Sequence, residues 1–210
     1  MQPSEKSVVI VDYGMGNLSS IRNMFKKIGV GANISSNREE IEAAERLVLP
    51  GVGAFDHGMD NLRKAELIDV LHRKVKNQQV PVLGICLGMQ LMTRRSEEGS
   101  REGLGWLPAD TRRFSFSNLS ALKVPHMGWN SAVLRRPSDL FANIERDNRF
   151  YFVHSYYVQC DDPAIVLTGT VHGQEFTSSV QMGNIYGVQF HPEKSHRFGM
   201  ALLANFVQRV

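Results

Sequence analysis

The sequence predicts an α/β fold: a three-layer open mixed sheet with a mainly parallel core, helices on both faces, and antiparallel strands added in the second half. In the first half, short apolar segments alternate with segments of helical periodicity, which is typical of parallel strands joined by crossover helices. From Ser96 onward, strand-like segments follow one another between Gly, Asn and Asp turns, which indicates antiparallel pairing. The 210 residues suffice for one core, so we expect a single domain over 1–210.

The elements of the first half are bounded by their residue patterns. Asn37 is a typical N-cap for the second helix. Pro50 and the glycines that follow it end the third strand in a loop. The predicted elements are, in order, strand 8–12, helix 18–28, strand 32–35, helix 38–44, strand 47–49, helix 59–76 and strand 80–85.

The second half predicts further strands and a terminal helix. The strands are 150–154, 165–171 and 185–190. The last segment, 199–210, is a predicted amphipathic helix because its apolar residues share one face. These residues are Leu202, Leu203, Phe206 and Val207.

Composition excludes several classes of protein. The 24 basic and 21 acidic residues are scattered and leave a net charge of +3, which argues against a nucleic-acid partner. The longest apolar run, 80–89, is about half the length that spans a bilayer, and the polar N-terminus has no signal-peptide core. We therefore expect a cytoplasmic protein without a membrane partner. Cys86 and Cys160 form no C-x-x-C pair, so neither a disulfide framework nor a metal site is expected. We also expect no cofactor.

The segment Gly84–Gln90 predicts a nucleophile. It joins a buried strand to a helix and places glycines two residues before and two after Cys86. This is the pattern of a nucleophile elbow, in which a strained turn presents the central side chain at the edge of the sheet. The N-terminus of the following helix would stabilise the thiolate. The alternative is a buried structural cysteine, but the flanking glycines favour catalysis.

Residues 189–193 predict the base that serves this nucleophile. Residues two apart in an extended segment project to the same side, so Glu193 can bind one imidazole nitrogen of His191. The other nitrogen is then free to take the thiol proton. The remaining histidines are interpreted as structural or surface residues: His57, His72, His126, His154, His172 and His196.

These motifs resemble the class I, triad-type glutamine amidotransferases, whose sheet is flavodoxin-like. The resemblance runs nearly end to end and points to the branch that supplies ammonia to imidazole glycerol phosphate synthesis. The blocks that carry it are 12–18, 50–53, 84–90, 125–130, 152–157 and 191–193.

The resemblance implies a reaction and a partner. Cys86 would attack the side-chain amide of L-glutamine, release ammonia and leave a glutamyl thioester that water converts to glutamate. The ammonia would pass to a HisF-like (β/α)8-barrel cyclase subunit, in a heterodimer that serves histidine biosynthesis. The matching substrate-binding positions are Gln90, Glu98, Ser155 and Tyr156. Gln90 also lies one helical turn after Cys86, whereas the alternative for Glu98 is a solvated acid.

Two backbone N–H groups should form an oxyanion hole for the tetrahedral intermediate. One belongs to Leu87, and the other to loop 50–53 beside the elbow. Val52 stands where many relatives outside this branch have glycine, and a β-branched residue resists positive φ. Our hypothesis is that the Val52 N–H rests turned away and that partner and ligand binding tip it inward.

The resemblance also places a subunit contact around the mouth of the ammonia exit. The positions are Asn17, within the segment 14–17, together with Trp129, Tyr151 and Lys194. The alternative is that the two aromatic residues are core or edge residues and that Lys194 is a solvated cation.

Three other functions compete with this interpretation. A paralogous glutaminase subunit could feed ammonia to an ATP-dependent amidotransferase of surface-polysaccharide sugars, and segments 56–59 and 195–200 resemble that branch. A cysteine peptidase-like hydrolase could use the same elbow, but Gln90 and loop 50–53 argue against it. A catalytically silent binding subunit is disfavoured because Cys86, His191 and Glu193 are all present.

Overall fold

The computed structural model of the protein describes residues 7–116 and 123–210. Its strands are β1 (Val8–Val11), β2 (Ala32–Ser35), β3 (Arg46–Gly51), β4 (Val82–Cys86), β5 (Ala109–Arg113), β6 (His126–Asn130), β7 (Val133–Leu134), β8 (Phe150–His154), β9 (Tyr156–Cys160), β10 (Val166–His172), β11 (Gln174–Met182) and β12 (Ile185–Val188). Its α-helices are α1 (Leu18–Lys27), α2 (Arg38–Ala43), α3 (Phe55–Lys64), α4 (Ile68–His72), α5 (Leu87–Leu91) and α6 (His196–Gln208).

The predicted parallel core is confirmed, and its register builds the site. The strands run in the order β2-β1-β3-β4-β12, and every neighbouring pair is parallel. Gly51 at the end of β3 lies opposite Cys86 at the end of β4. On the other side of β4, Val188 pairs with Ile85, so the chain after β12 emerges beside Cys86. The carboxyl ends of three neighbouring strands therefore meet at one point, which is where open α/β sheets bind ligands.

The second half adds antiparallel strands, as predicted. The sheet continues from β12 through β11 and β10 to β7, and β9 pairs with both β11 and β5. A separate two-stranded sheet pairs β6 with β8 in an antiparallel register that sets Trp129 opposite Tyr151. The residues at the end of β8 and just after it, 153–156, line the same cavity as Cys86.

The helices cover both faces of the central sheet. In β1, Val9 and Val11 pack into a core with residues of α2, α3, α4 and α5, while Val8 and Ile10 pack into a second core with residues of α1 and α6. The alternation follows from the two-residue period of a strand, and both sides are apolar because both are buried. No helix among residues 7–116 and 123–210 combines the length and apolarity that crossing a membrane requires.

Several predicted boundaries differ from the observed ones. The predicted helix 59–76 is two helices, α3 and α4, followed by a π-helical turn at Arg73–Asn77. The chain turns at Glu66, whose φ is 54°, and Leu67 N–H donates to the carbonyl of Leu62 to close the end of α3. A non-glycine residue in this conformation leaves no local sequence signal. The C-terminal helix also starts earlier than predicted, at His196.

Candidate active site

The elbow around Cys86 has the strained geometry that the sequence pattern predicts. Cys86 adopts φ 53° and ψ −110° between β4 and α5, and its residue surface is 7% exposed. A Cβ on Gly84 would lie 2.8 Å from the backbone N of Met89, and one on Gly88 would lie 1.8 Å from the Leu49 carbonyl oxygen. Both glycines are therefore required by packing, and they let the thiol sit where the sheet edge meets a helix N-terminus.

His191 and Glu193 form a buried pair beside this thiol. Nδ1 of His191 lies 2.8 Å from Oε1 of Glu193, and the two side chains are 2% and 1% exposed. The Pro192–Lys194 3-10 turn brings the carboxylate back onto the ring. The backbone of His191 is tied to β8 through its N–H, which donates to the carbonyl of Tyr151 at 2.9 Å.

The surroundings of His191 raise the pKa of its imidazole. Burial lowers the pKa of His191, but hydrogen bonding and attraction from Cys86 and Glu193 outweigh burial and raise the pKa from 6.5 to about 10. Among the described residues, Nε2 of His191 has no hydrogen bond of ordinary geometry. Since Nδ1 is taken by Glu193, Nε2 is the nitrogen that can exchange a proton with Cys86.

A cavity of about 280 Å³ opens at the carboxyl ends of the central strands and contains most of the predicted site. The predicted residues that line it are Val52, Cys86, Leu87, Gln90, Glu98, Ser155, Tyr156, His191 and Lys194. Glu193 lies behind His191, away from the cavity lining. Segments far apart in the chain are thus brought into one pocket suited to a small polar ligand.

Gln90 reaches across the cavity floor. Its Nε2 donates to the carbonyl of Tyr156 at 3.1 Å and to Oε1 of Gln189 at 3.0 Å, and the residue is 5% exposed. Both amide hydrogens are used in this way. The group of Gln90 that can meet a ligand is therefore its carbonyl oxygen.

Glu98 is anchored rather than free in solvent. Its Oε2 accepts a hydrogen bond from the backbone N–H of Phe55 at 2.9 Å, at the first residue of α3. A carboxylate at a helix N-terminus is stabilised by the helix dipole. The alternative of a loosely solvated acid does not describe this residue, which presents fixed negative charge at the cavity wall.

Buried histidines shape the cavity wall without taking charge. Nδ1 of His154 donates to the carbonyl of Tyr156 at 2.7 Å, and its Nε2 lies 3.1 Å from Nδ1 of His126. Burial lowers the pKa of His126 to about 4 and that of His154 to about 3. Both rings are neutral near pH 7. His126 holds the ring of His154, and His154 holds the carbonyl to which Gln90 also donates.

Two site residues were missed by the sequence reasoning. The hydroxyl of buried Tyr13 donates to the carbonyl of Pro50 at 2.5 Å and so anchors the predicted oxyanion loop. Burial, followed by the charge of Cys86, raises the pKa of Tyr13 above its usual range. Gln189 is fully buried, and its Nε2 lies 3.6 Å from Sγ of Cys86. Tyr13 stands in a block that carried the resemblance, but no local pattern links either residue to its partner.

Three of the four predicted interface residues lie against one another. Trp129 is 47% exposed, stacks on His196 at 5.3 Å with an interplanar angle of 7°, and meets Tyr151 edge to face. Nζ of Lys194 lies 5.5 Å from the centroid of the Tyr151 ring. We call Trp129, Tyr151, Lys194 and His196 the aromatic cluster. Asn17 is exposed and is the N-cap residue of α1.

Comparison with known proteins identifies the family. The family model described as glutamine amidotransferase class-I matches residues 9–210. A protein of Methanococcus maripaludis named imidazole glycerol phosphate synthase subunit HisH 2 is 52% identical over 202 residues, which cover 96% of this chain and 99% of the relative. A Pseudomonas aeruginosa protein of the same name is 50% identical over 203 residues, covering 97% and 100%.

The fold is shared with solved structures of much lower identity. The structure of PurLQS from Thermotoga maritima superposes with a TM-score of 0.71 at 18% identity, covering 96% of this chain and 97% of that chain. At such identity the likeness shows the fold alone. From the family match and the long, highly similar relatives, the chain belongs to the class-I glutamine amidotransferases, the glutamine-hydrolysing enzymes, and within them to the HisH subunits.

Proposed function

We propose that residues 1–210 act as one amidotransferase domain, the glutaminase subunit of a cytoplasmic imidazole glycerol phosphate synthase. The observation that carries the proposal is Cys86 on its strained elbow beside the His191–Glu193 pair, at a cavity of about 280 Å³. The high identity to proteins named HisH over nearly the whole chain supports the same assignment.

In the proposed reaction, Cys86 acts as nucleophile and His191 as acid and base. The thiol proton passes to Nε2 of His191, and Sγ attacks the carboxamide carbon of glutamine. The imidazolium then protonates the leaving nitrogen, so that ammonia departs and a glutamyl thioester remains. His191 next deprotonates a water molecule, which attacks the thioester and releases glutamate and the thiol. Glu193 keeps the ring oriented and stabilises its charged form throughout.

The oxyanion of the tetrahedral intermediate needs donors on the elbow side of the cavity. We assign one to the N–H of Leu87 and the other to loop 50–53, each contributing about 2.7 to 4 kcal/mol. Because Tyr13 holds the carbonyl of Pro50, reorientation of this loop falls on the peptides after Gly51. Val52, 50% exposed, is not at positive φ, whereas Gly53 has φ 120°. This supports a resting loop that partner and ligand binding switch on.

The polar groups of the cavity suit the amino-acid portion of glutamine. The fixed carboxylate of Glu98 is complementary to an α-ammonium group. The carbonyl oxygen of Gln90 can accept a hydrogen bond from the substrate, and Ser155 and Tyr156 line the same cavity. We assign these residues to substrate binding on that basis.

The partner we propose is a HisF-like (β/α)8-barrel cyclase subunit that receives the ammonia. Val52, Met127 and Trp129 are exposed by 50%, 63% and 47%. Met127 and Trp129 lie two residues apart on β6 and so on one face of the strand, and grouped exposed apolar side chains are typical of protein–protein interaction sites. Val52 and Lys194 line the cavity, so a partner on this face would meet its mouth. We place the aromatic cluster and Asn17 at this contact.

Affinity purification from the source cell tests the assignment. A tagged native chain should retain a barrel-type cyclase, and its glutamine hydrolysis should rise when the cyclase and its nucleotide ligand are added. Cys86→Ala should retain the cyclase but lose hydrolysis. Recovery of an ATP-dependent sugar amidotransferase instead would favour the surface-polysaccharide alternative. Equal glutamine turnover by the isolated chain and the liganded complex would refute the switching of the loop.

A further inference from the structure

Gln189 contacts the reacting sulfur from the side opposite the oxyanion loop. It follows β12, is 0% exposed, and its Nε2 lies 3.6 Å from Sγ of Cys86. Its backbone N–H donates to the carbonyl of Ser178 at 2.9 Å, which keeps the residue in line with the sheet. The position results from the register of β12 on β4, in which Val188 is the partner of Ile85.

The orientation of the Gln189 amide is determined by its neighbour. Oε1 of Gln189 accepts a hydrogen bond from Nε2 of Gln90, whose other N–H donates to the carbonyl of Tyr156. A flipped Gln189 amide would set two N–H₂ groups against each other, so this network selects the orientation with N–H₂ toward sulfur. A donor is thereby aimed at Cys86, and a thiolate is a better acceptor than a thiol.

We propose that Gln189 is a catalytic residue whose amide N–H stabilises the Cys86 thiolate, and that Gln90 positions it. This deepens the proposed function and rests on it, because it presumes that Cys86 is the nucleophile. No proton is transferred: the amide keeps its hydrogen while His191 takes the thiol proton. When Sγ becomes part of the thioester its negative charge disappears and the hydrogen bond weakens. When hydrolysis of the thioester expels the sulfur, the thiolate forms again and accepts the hydrogen bond from Gln189 until His191 returns the proton and the thiol is restored.

A purely structural Gln189 would fill space between β12 and α5 without affecting the chemistry of the sulfur. The two roles differ in the pH dependence of thiol reactivity. Loss of a donor to the thiolate shifts the alkylation profile of Cys86 to higher pH, by about 1 to 2 pH units for a hydrogen bond to a charged group. Loss of packing alone leaves that midpoint in place.

The test is the rate of Cys86 alkylation by iodoacetamide as a function of pH in the full chain, without glutamine. Peptide mass spectrometry separates Cys86 from Cys160. Gln189→Met keeps the volume and removes the donor, and Gln189→Leu removes the donor with a shorter side chain. We expect the midpoint to rise by a similar amount in both. Gln181→Met, in the neighbouring strand β11, is the matched control and should behave as the native chain.

The outcomes distinguish the role of Gln189 from the role of Cys86 as nucleophile. An unchanged midpoint in either Gln189 variant, with a native circular dichroism spectrum, overturns the role of Gln189 and leaves Cys86 as the nucleophile. The smaller side chain of Gln189→Leu keeps the test available if Gln189→Met does not fold. Gln90→Met should also raise the midpoint, but by less, because the Gln189 amide then loses the hydrogen bond that orients it and still remains beside the sulfur. If Cys86 of the native chain resists alkylation at every pH, the proposed nucleophile is instead overturned.

Discussion

At the scale of single residues, the charge of His191 depends on Cys86. Burial lowers the pKa of His191, and hydrogen bonding to Cys86 is the strongest of the causes that raise it to about 10. Cys86→Ala removes this partner, so the His191 pKa should fall and the ring should lose its proton at a lower pH than in the native chain. A titration of the imidazole proton resonances by nuclear magnetic resonance measures this. An unchanged His191 pKa in the variant would contradict the coupling between these two side chains.

Glu193 should act on rate more than on binding. Glu193→Gln keeps the shape of the group that faces Nδ1 of His191 but removes its charge, so it both lowers the pKa of His191 and weakens the orientation of the ring. We expect kcat for glutamine hydrolysis to fall by about 10²- to 10⁴-fold, the usual range for acid–base catalysis, with KM little changed. Steady-state kinetics of the complex provide the measurement. A rise in KM at constant kcat would assign Glu193 to binding instead.

At the scale of elements, the elbow depends on the absence of a side chain at Gly88. In Gly88→Ala the new methyl group would meet the Leu49 carbonyl 1.8 Å away, across the α5–β3 contact. Because a backbone atom cannot move aside cheaply, we expect a loss of more than about 4 kcal/mol or no folded protein. Gly29→Ala is the control: it has φ 76° and no atom within 4 Å, and should cost only about 1 to 2 kcal/mol. Urea unfolding compares them, and equal stabilities would contradict the packing argument.

The elements differ in how far the sequence predicts them. The elbow and the His191–Glu193 pair are local patterns, and each is complete within a few residues of chain. The contacts of Gln189 and Tyr13 are not local: Gln189 meets Cys86 across 103 positions, and Tyr13 meets Pro50 across 37. Such contacts follow from strand order and register, which short-range periodicity does not specify. The break at Glu66 was missed for a related reason, since a positive φ at a non-glycine residue is decided by its surroundings.

The oxyanion loop yields a prediction at the same scale. Val52→Gly removes the β-branched side chain that disfavours positive φ, so the loop should reach its active form without help. We expect the basal glutamine turnover of the isolated chain to rise toward that of the complex, while the rate of the liganded complex stays close to native. Assays with and without the cyclase give both rates. Val52→Ala keeps a Cβ and should change basal turnover less. Native basal turnover in Val52→Gly would show that the Val52 side chain does not restrain the loop.

At the scale of the whole molecule, the exposed face around the cavity should determine assembly. Trp129 is half-exposed and held flat by His196, and large aromatic residues of this kind are frequent hot spots at protein interfaces. Trp129→Ala should weaken binding of the cyclase by about 30-fold or more, equivalent to about 2 kcal/mol, and should lower cyclase-stimulated hydrolysis at limiting partner concentration. Leu134→Ala is the matched control, because Leu134 is 46% exposed but lies on β7 at the far edge of the sheet. Isothermal titration calorimetry measures both affinities, and equal affinities for the two variants would place the partner on another face.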